Sequence, residues 1–235
     1  MLIKVGPKKW IEKSFFEGSF KFGSLLGYQE IENEGSRDEL EGTLSLTFAL
    51  TNEETNIIGP DGKPMKRLIP TSQKNLRTGA TLNIQHNANI LCFTDARNIS
   101  NPDEYLNKAG EFGDYCLIIK NIDQFIKRLR GELLNVMENY NRNNEIKISN
   151  LCCNRVQYFA DDKYGIELSK YNSNDINYVF VKREKFSPEN EYRIVIGYEK
   201  KEFAEEDVII SMGSLEGIAD IIPIDKLRDV FTVNN

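Results

Sequence analysis

The chain has 235 residues, with 30 Lys and Arg against 36 Asp and Glu, and its formal net charge of −6 argues against a general nucleic-acid binder, which is usually basic. An apolar content of 40% with mixed charge describes a globular chain long enough to bury a core without disulfides or a structural metal. No apolar run approaches the roughly 18 residues of a membrane helix, and Met1 to Gly6 has no signal-peptide character, so the expectation is a cytoplasmic protein without a membrane partner.

In chain order, residues 2–5 read as a short strand. Trp10, Ile11, Phe15 and Phe16 recur at helical spacing, with Gly18 as a stop. Phe20-Lys21-Phe22 alternates as a strand does, and Ser24 is placed to cap a helix over Leu25 to Glu32. A charged loop, Arg37-Asp38-Glu39-Leu40-Glu41-Gly42, precedes the alternating strand Thr43 to Phe48. Gly59-Pro60-Asp61-Gly62 is a turn signal. Thr81 to Gln85 and Asn89 to Phe93 suggest a hairpin closed near His86-Asn87. Asn101-Pro102-Asp103-Glu104 has the chemistry of a helix start.

Tyr115 to Ile119 is a near-continuous apolar run, as in a central strand. Ile122 to Tyr140 carries the clearest helical stripe: Ile122, Phe125, Ile126, Leu129, Leu133, Met137 and Tyr140 at spacings of three and four. Short strands follow at Ile146–Ile148, Val156–Phe159, Asn177–Val181 and Val208–Ser211, and a helix is expected over Ile224 to Phe231 after Pro223. Many short strands, one long helix and several short ones, not in βαβ order, predict a single α+β domain over 1–235 with a mostly antiparallel sheet.

Several chemistries are poorly provided for. The chain has no Gly-rich phosphate loop and no Gly-x-Ser-x-Gly elbow. Its lone histidine, His86, leaves little for a Ser-His-Asp triad. Cys92, Cys116, Cys152 and Cys153 lack zinc-ligand spacing and read as reduced, buried small hydrophobes.

Three polar clusters interrupt the apolar strands. The first is the early loop, with Arg37, Asp38 and Glu41, following Tyr28. The second is Cys92-Phe93-Thr94-Asp95, where a strand ends in a hydroxyl and a carboxylate. The third is Glu189, Glu191 and Arg193, which share a face if the strand already runs through Glu189. As a working site, Glu191 and Glu189 are the catalytic candidates, since two close carboxylates push one pKa up and favour acid–base work. Arg37 or Arg193 would grip a phosphate or carboxylate through a bidentate fork, Tyr28 would stack on a planar ring, and Asp38, Glu41 and Thr94 would complete the substrate side. Asp38, Glu41 and Glu191 together would also suit magnesium. As structure alone, each cluster is a capped loop, a strand end and an ion-pair network.

At these clusters the sequence resembles a broad bacterial family known only as a domain of unknown function. The matching elements are Phe20-Lys21-Phe22 with Arg37-Asp38 to Glu41, then Leu91-Cys92-Phe93-Thr94, Phe186 to Arg193, and Ile209 to Gly213. Arg37, Glu39 and Thr94 depart from that family's usual Asn, Pro and Ser. Glu189-Asn190-Glu191 ahead of a strand is also similar to the Glu-x-Glu of mono-ADP-ribosyltransferases. There the resemblance implies that Glu191 would bind the nicotinamide ribose of NAD and support an oxocarbenium-like transition state. The functional expectation is therefore an NAD- or nucleotide-binding protein, an ADP-ribosyltransferase or NAD glycohydrolase-like toxin or effector in bacteria–phage conflict. The alternative is a non-catalytic interaction protein, a sensor or inhibitor of another protein.

Overall fold

The alternating and apolar runs near residues 90 and 194 form two neighbouring eight-residue strands of one sheet. The computed structural model describes residues 1–25, 27, 43–49, 79–85, 88–99, 101–143, 148–159, 176–198 and 207–233. Its elements are β1 (Leu2–Gly6), α1 (Lys8–Glu17), β2 (Ser19–Ser24), β3 (Thr43–Ala49), β4 (Gly79–Gln85), β5 (Ala88–Asp95), α2 (Pro102–Ala109), β6 (Tyr115–Ile119), α3 (Ile122–Asn143), β7 (Ile148–Arg155), β8 (Gln157–Phe159), β9 (Val181–Arg183), β10 (Glu191–Tyr198), β11 (Val208–Ser211), β12 (Ala219–Pro223) and α4 (Leu227–Val233). Short 3-10 turns occupy Ala96–Asn98, Ile176–Phe180, Glu184–Glu189 and Ile224–Lys226.

The chain is α+β, with an eight-stranded antiparallel sheet. Its path runs β11-β2-β5-β1-β6-β12, and β10 joins β5 to β7. Strand β5 is the hub. β10 pairs along it from Glu191 opposite Thr94 to Gly197 opposite Ala88. Its other edge is shared: β2 takes Asn89 and Ile90, and β1 takes Thr94 and Asp95. Between those two pairings the Lys4 ammonium donates to the Cys92 carbonyl at 3.2 Å, so a side chain satisfies a backbone acceptor the ladder leaves open. β3 and β4 form a separate antiparallel pair, and β8 and β9 a short parallel one.

Side-chain alternation gives the sheet two different faces. On one, Leu91, Phe93, Ile194 and Ile196 pack with Phe20, with Ile11 of α1 and with Phe125, Leu129 and Leu133 of α3. Asn121 starts α3 by accepting the Gln124 N–H at 3.0 Å. The other face carries two smaller cores. One joins Ile3, Cys116 and Ile118 to Tyr105 of α2 and to Leu227 and Phe231 of α4. The other joins Ile90 and Val195 to Val179 and Phe180.

Three expectations need correction. Gly79–Gln85 and Ala88–Asp95 are both strands, but β4 pairs with β3 and β5 with β10, β1 and β2, so the expected hairpin ladder is not formed. Asn177–Val181 is not a strand: the apolar run is mostly a 3-10 turn, and only Val181 enters β9. Continuous apolar runs of this length lack the period that separates strand from helix. Residues 219–223, read as no element, form the edge strand β12, ending at Pro223 where a missing N–H does no harm. Leu25 and Gly27 are helical, whereas the rest of the expected Leu25–Glu32 helix, the early charged loop, the Gly59–Gly62 turn and His86-Asn87 lie outside the described residues.

Candidate functional site

The late acidic element is built by a turn. Glu184–Glu189 coils as a 3-10 turn despite Pro188, and Asn190 then adopts the left-handed conformation at φ 44°, donating its N–H to the Ser187 carbonyl at 3.1 Å. Asn is the non-glycine residue that most readily takes this conformation. The reversal aims the chain into β10, so Glu191, and not Glu189, is the first strand residue. The two acids therefore do not share a face through strand alternation, as the sequence suggested. They converge because the turn folds Glu189 back over the strand.

Their meeting point is the ammonium of Lys182 on β9, at 2.7 Å from Glu189 Oε2 and 3.4 Å from Glu191 Oε2. Arg193 closes the network from below. Its Nε donates to Glu191 Oε1 at 2.8 Å, its Nη2 to Glu191 Oε2 at 3.0 Å, and its Nη1 to the Val179 carbonyl. Arg193 is 0% exposed, Lys182 5% and Glu191 6%. On the outer side Lys108 of α2 reaches Glu189 Oε1 at 3.1 Å. The Tyr158 hydroxyl accepts the Glu191 N–H at 2.9 Å. The order Lys108, Glu189, Lys182, Glu191, Arg193 thus alternates in sign.

A buried aromatic lies beside the chain of charges. Phe186 has Lys182 and Lys185 each 4.7 Å from its ring centroid, Lys108 at 5.5 Å and Arg183 at 5.6 Å. A ring face stabilises cations in such positions, the more so when they are desolvated.

These contacts fix the protonation of Glu191. Burial alone would raise its pKa, but Arg193 and Lys182 together outweigh burial and hold the carboxyl far below the usual carboxylate range. The expectation that two neighbouring acids would push one pKa up is corrected at Glu191, because two buried cations stand closer than the second acid's effect can overcome. Burial pushes the Cys92 thiol well up, and the Glu191 carboxylate beside it adds to the shift.

Of the predicted site residues, Glu189, Glu191 and Arg193 meet in one network, and Thr94 is the direct cross-strand partner of Glu191. Tyr28, Arg37, Asp38 and Glu41 lie outside the described residues. Sequence reasoning missed Lys182, Lys108 and Tyr158. Charge balance gave a signal for one of them: two acids beside one arginine on a buried strand require a further cation nearby. Lys108 and Tyr158 arrive from distant parts of the chain with no local signal.

Among the described residues no group of three or more His, Cys, Asp or Glu side chains is placed to hold a metal ion. All four cysteines are free thiols, and no described helix is long and apolar enough to cross a membrane. No family model, curated protein or solved structure matches the chain.

Proposed function

We infer that this chain works by binding, as a non-catalytic interaction protein such as a sensor or inhibitor of another protein, and that its late acidic element is an internal frame. The observation that carries the reading is the closed pair of Glu191 and Arg193. Both carboxylate oxygens already accept guanidinium N–H groups, at 2.8 and 3.0 Å, in a side chain 7% exposed. A carboxyl held ionised this firmly does not supply a proton, so general-acid work has no donor there. A ligand hydroxyl would have to displace a buried guanidinium to reach it, and an uncompensated buried charge is costly. A surface suited to a protein partner also exists on α1. Trp10 is 58% exposed, with the Lys9 and Lys13 ammonium groups 5.6 and 5.9 Å from its ring centroid. Exposed aromatics of this kind are enriched where interfaces bury their anchors.

The second reading is an NAD-consuming transferase or glycohydrolase, an effector in conflict between bacteria and phage. A specific observation favours it: Glu191 stands at the mouth of β10 directly opposite Thr94, with Arg193 and Lys182 outweighing burial to favour its ionised form. Stabilising positive charge at a ribose carbon needs such a carboxylate and no proton transfer. One experiment separates the two. Purified protein is incubated with NAD and nicotinamide release is followed. The binding reading expects no release by wild type. Release that Glu191→Gln abolishes overturns it in favour of the NAD reading.

A further inference from the structure

A second charge cluster sits at the same end of the sheet but on its opposite face, around Asp95. This is the residue that ends β5 in the Cys92-Phe93-Thr94-Asp95 stretch, and it is 1% exposed. Its N–H donates to the Asn190 carbonyl at 2.8 Å, which fixes the strand end against the turn before β10. Its carboxylate holds two arginines. Arg97, in the 3-10 turn that follows, donates Nε to Oδ1 and Nη2 to Oδ2, each at 2.9 Å. Arg155, the last residue of β7, reaches past Tyr192 on the intervening β10 and donates Nε to the same Oδ2 at 2.8 Å.

The stoichiometry is what calls for an explanation. A guanidinium has five N–H donors. Asp95 takes two from Arg97 and one from Arg155, and among the described residues the others meet no acceptor. One arginine would neutralise Asp95. The second brings a like charge to the same oxygen, leaves the three side chains formally at +1, and leaves Nη1 of Arg97 and both terminal nitrogens of Arg155 uncommitted on half-exposed side chains (56% and 47% exposed). Asp95 bridges the two cations, but one carboxylate balances only one of them, so a second anion would meet net positive charge there. The buried carboxylate fixes both forks, so the geometry is set before any ligand arrives, which lowers the ordering cost of binding.

We propose that Arg97 and Arg155, braced by Asp95, form a binding site for a phosphate monoester. The forks come from a turn and from a strand end, in different directions. A planar carboxylate fills one fork, whereas a tetrahedral phosphoryl group presents three oxygens and can engage both. A nucleic-acid backbone is instead met by a basic track, which a chain of net charge −6 opposes. The site is independent of the Glu191 network, which lies across the sheet, so the fate of either reading leaves the other standing.

The test is a titration of the full chain with phenyl phosphate, with inorganic phosphate and an unphosphorylated oligonucleotide in parallel, read on the arginine Nε–H resonances. The expected result is saturable binding of both phosphates with shifts concentrated at Arg97 and Arg155, and affinity at least about tenfold weaker in Arg97→Gln and in Arg155→Gln, the loss of one charge-assisted fork. The wild-type shifts alone decide the matter should either variant fold poorly. Absence of saturable binding overturns the proposal, as do equal shifts at exposed arginines such as Arg130 and Arg228, unchanged affinity in both folded variants, or tighter binding of the oligonucleotide than of phenyl phosphate.

Discussion

Glu191 and Arg193 are the residues whose chemistry decides most. Glu191→Ala leaves a fully buried guanidinium with its carboxylate gone, and breaking a buried pair from one side costs about 3–5 kcal/mol; denaturant unfolding should report a loss of that size. The same carboxyl sets a pH dependence. In the unfolded chain it titrates near 4.5, and in the folded protein well below that. The folded form therefore binds fewer protons, and the pair's stabilisation is fully present above pH 4.5 and drains away as pH falls below it toward the folded value. Asp95 acts with the same sign: burial opposes ionisation, but Arg97 and Arg155 hold it below its ordinary 3.8. The unfolding midpoint should thus drop on acidification, and more gently in Glu191→Gln. A pH-independent midpoint between 6 and 3 in wild type would contradict this assignment.

At the scale of elements, α3 is held by an aromatic cluster. Phe125 stands edge-on to Phe20 at 5.4 Å and to Phe93 at 5.5 Å between ring centroids, so Phe125→Ala should cost about 3–5 kcal/mol in the same unfolding assay. The end of α1 is the other sensitive point. Gly18 sits at φ 59°, and a Cβ there would lie 2.2 Å from the Gly213 carbonyl oxygen. Gly18→Ala must move backbone as well as accept a strained φ, and about 2 kcal/mol or more of destabilisation is expected. These elements were also the legible ones. The helical spacing from Trp10 and from Ile122, the Asn101-Pro102 start and the alternating Phe20-Lys21-Phe22 each carry a local period or cap. The hairpin near His86-Asn87 was misread for a physical reason: a polar break between two strands resembles a turn, but β5 is completed by β10, about a hundred residues later in the chain, and a pairing that distant leaves no mark in local sequence. The run around Val179 failed likewise, since an apolar stretch without a period suits a buried turn as well as a buried strand.

For the molecule as a whole, the ionic network divides two apolar cores on one face of the sheet and ties the Glu184–Glu189 turn and α2 onto it. The sequence singled out these acids because Glu189-Asn190-Glu191-Tyr192-Arg193 is an odd insertion of charge ahead of an apolar strand, and the two acids do meet Arg193 in one network. It could not tell a frame from an active site, because that depends on Lys182 and on burial, which only the folded chain supplies. Burial has a further global consequence: Cys116, fully buried, has its thiol pushed up to about 12. Alkylation at pH 8 should therefore leave Cys116 unmodified in the native protein and modify it promptly in denaturant. The most direct measurement for the central claim is a double-mutant cycle in denaturant unfolding, using Glu191→Gln, Arg193→Met and the pair together. A structural frame predicts that the second substitution restores much of what the first removes, with a coupling of about 2–3 kcal/mol, whereas losses that simply add within about 0.5 kcal/mol would contradict it.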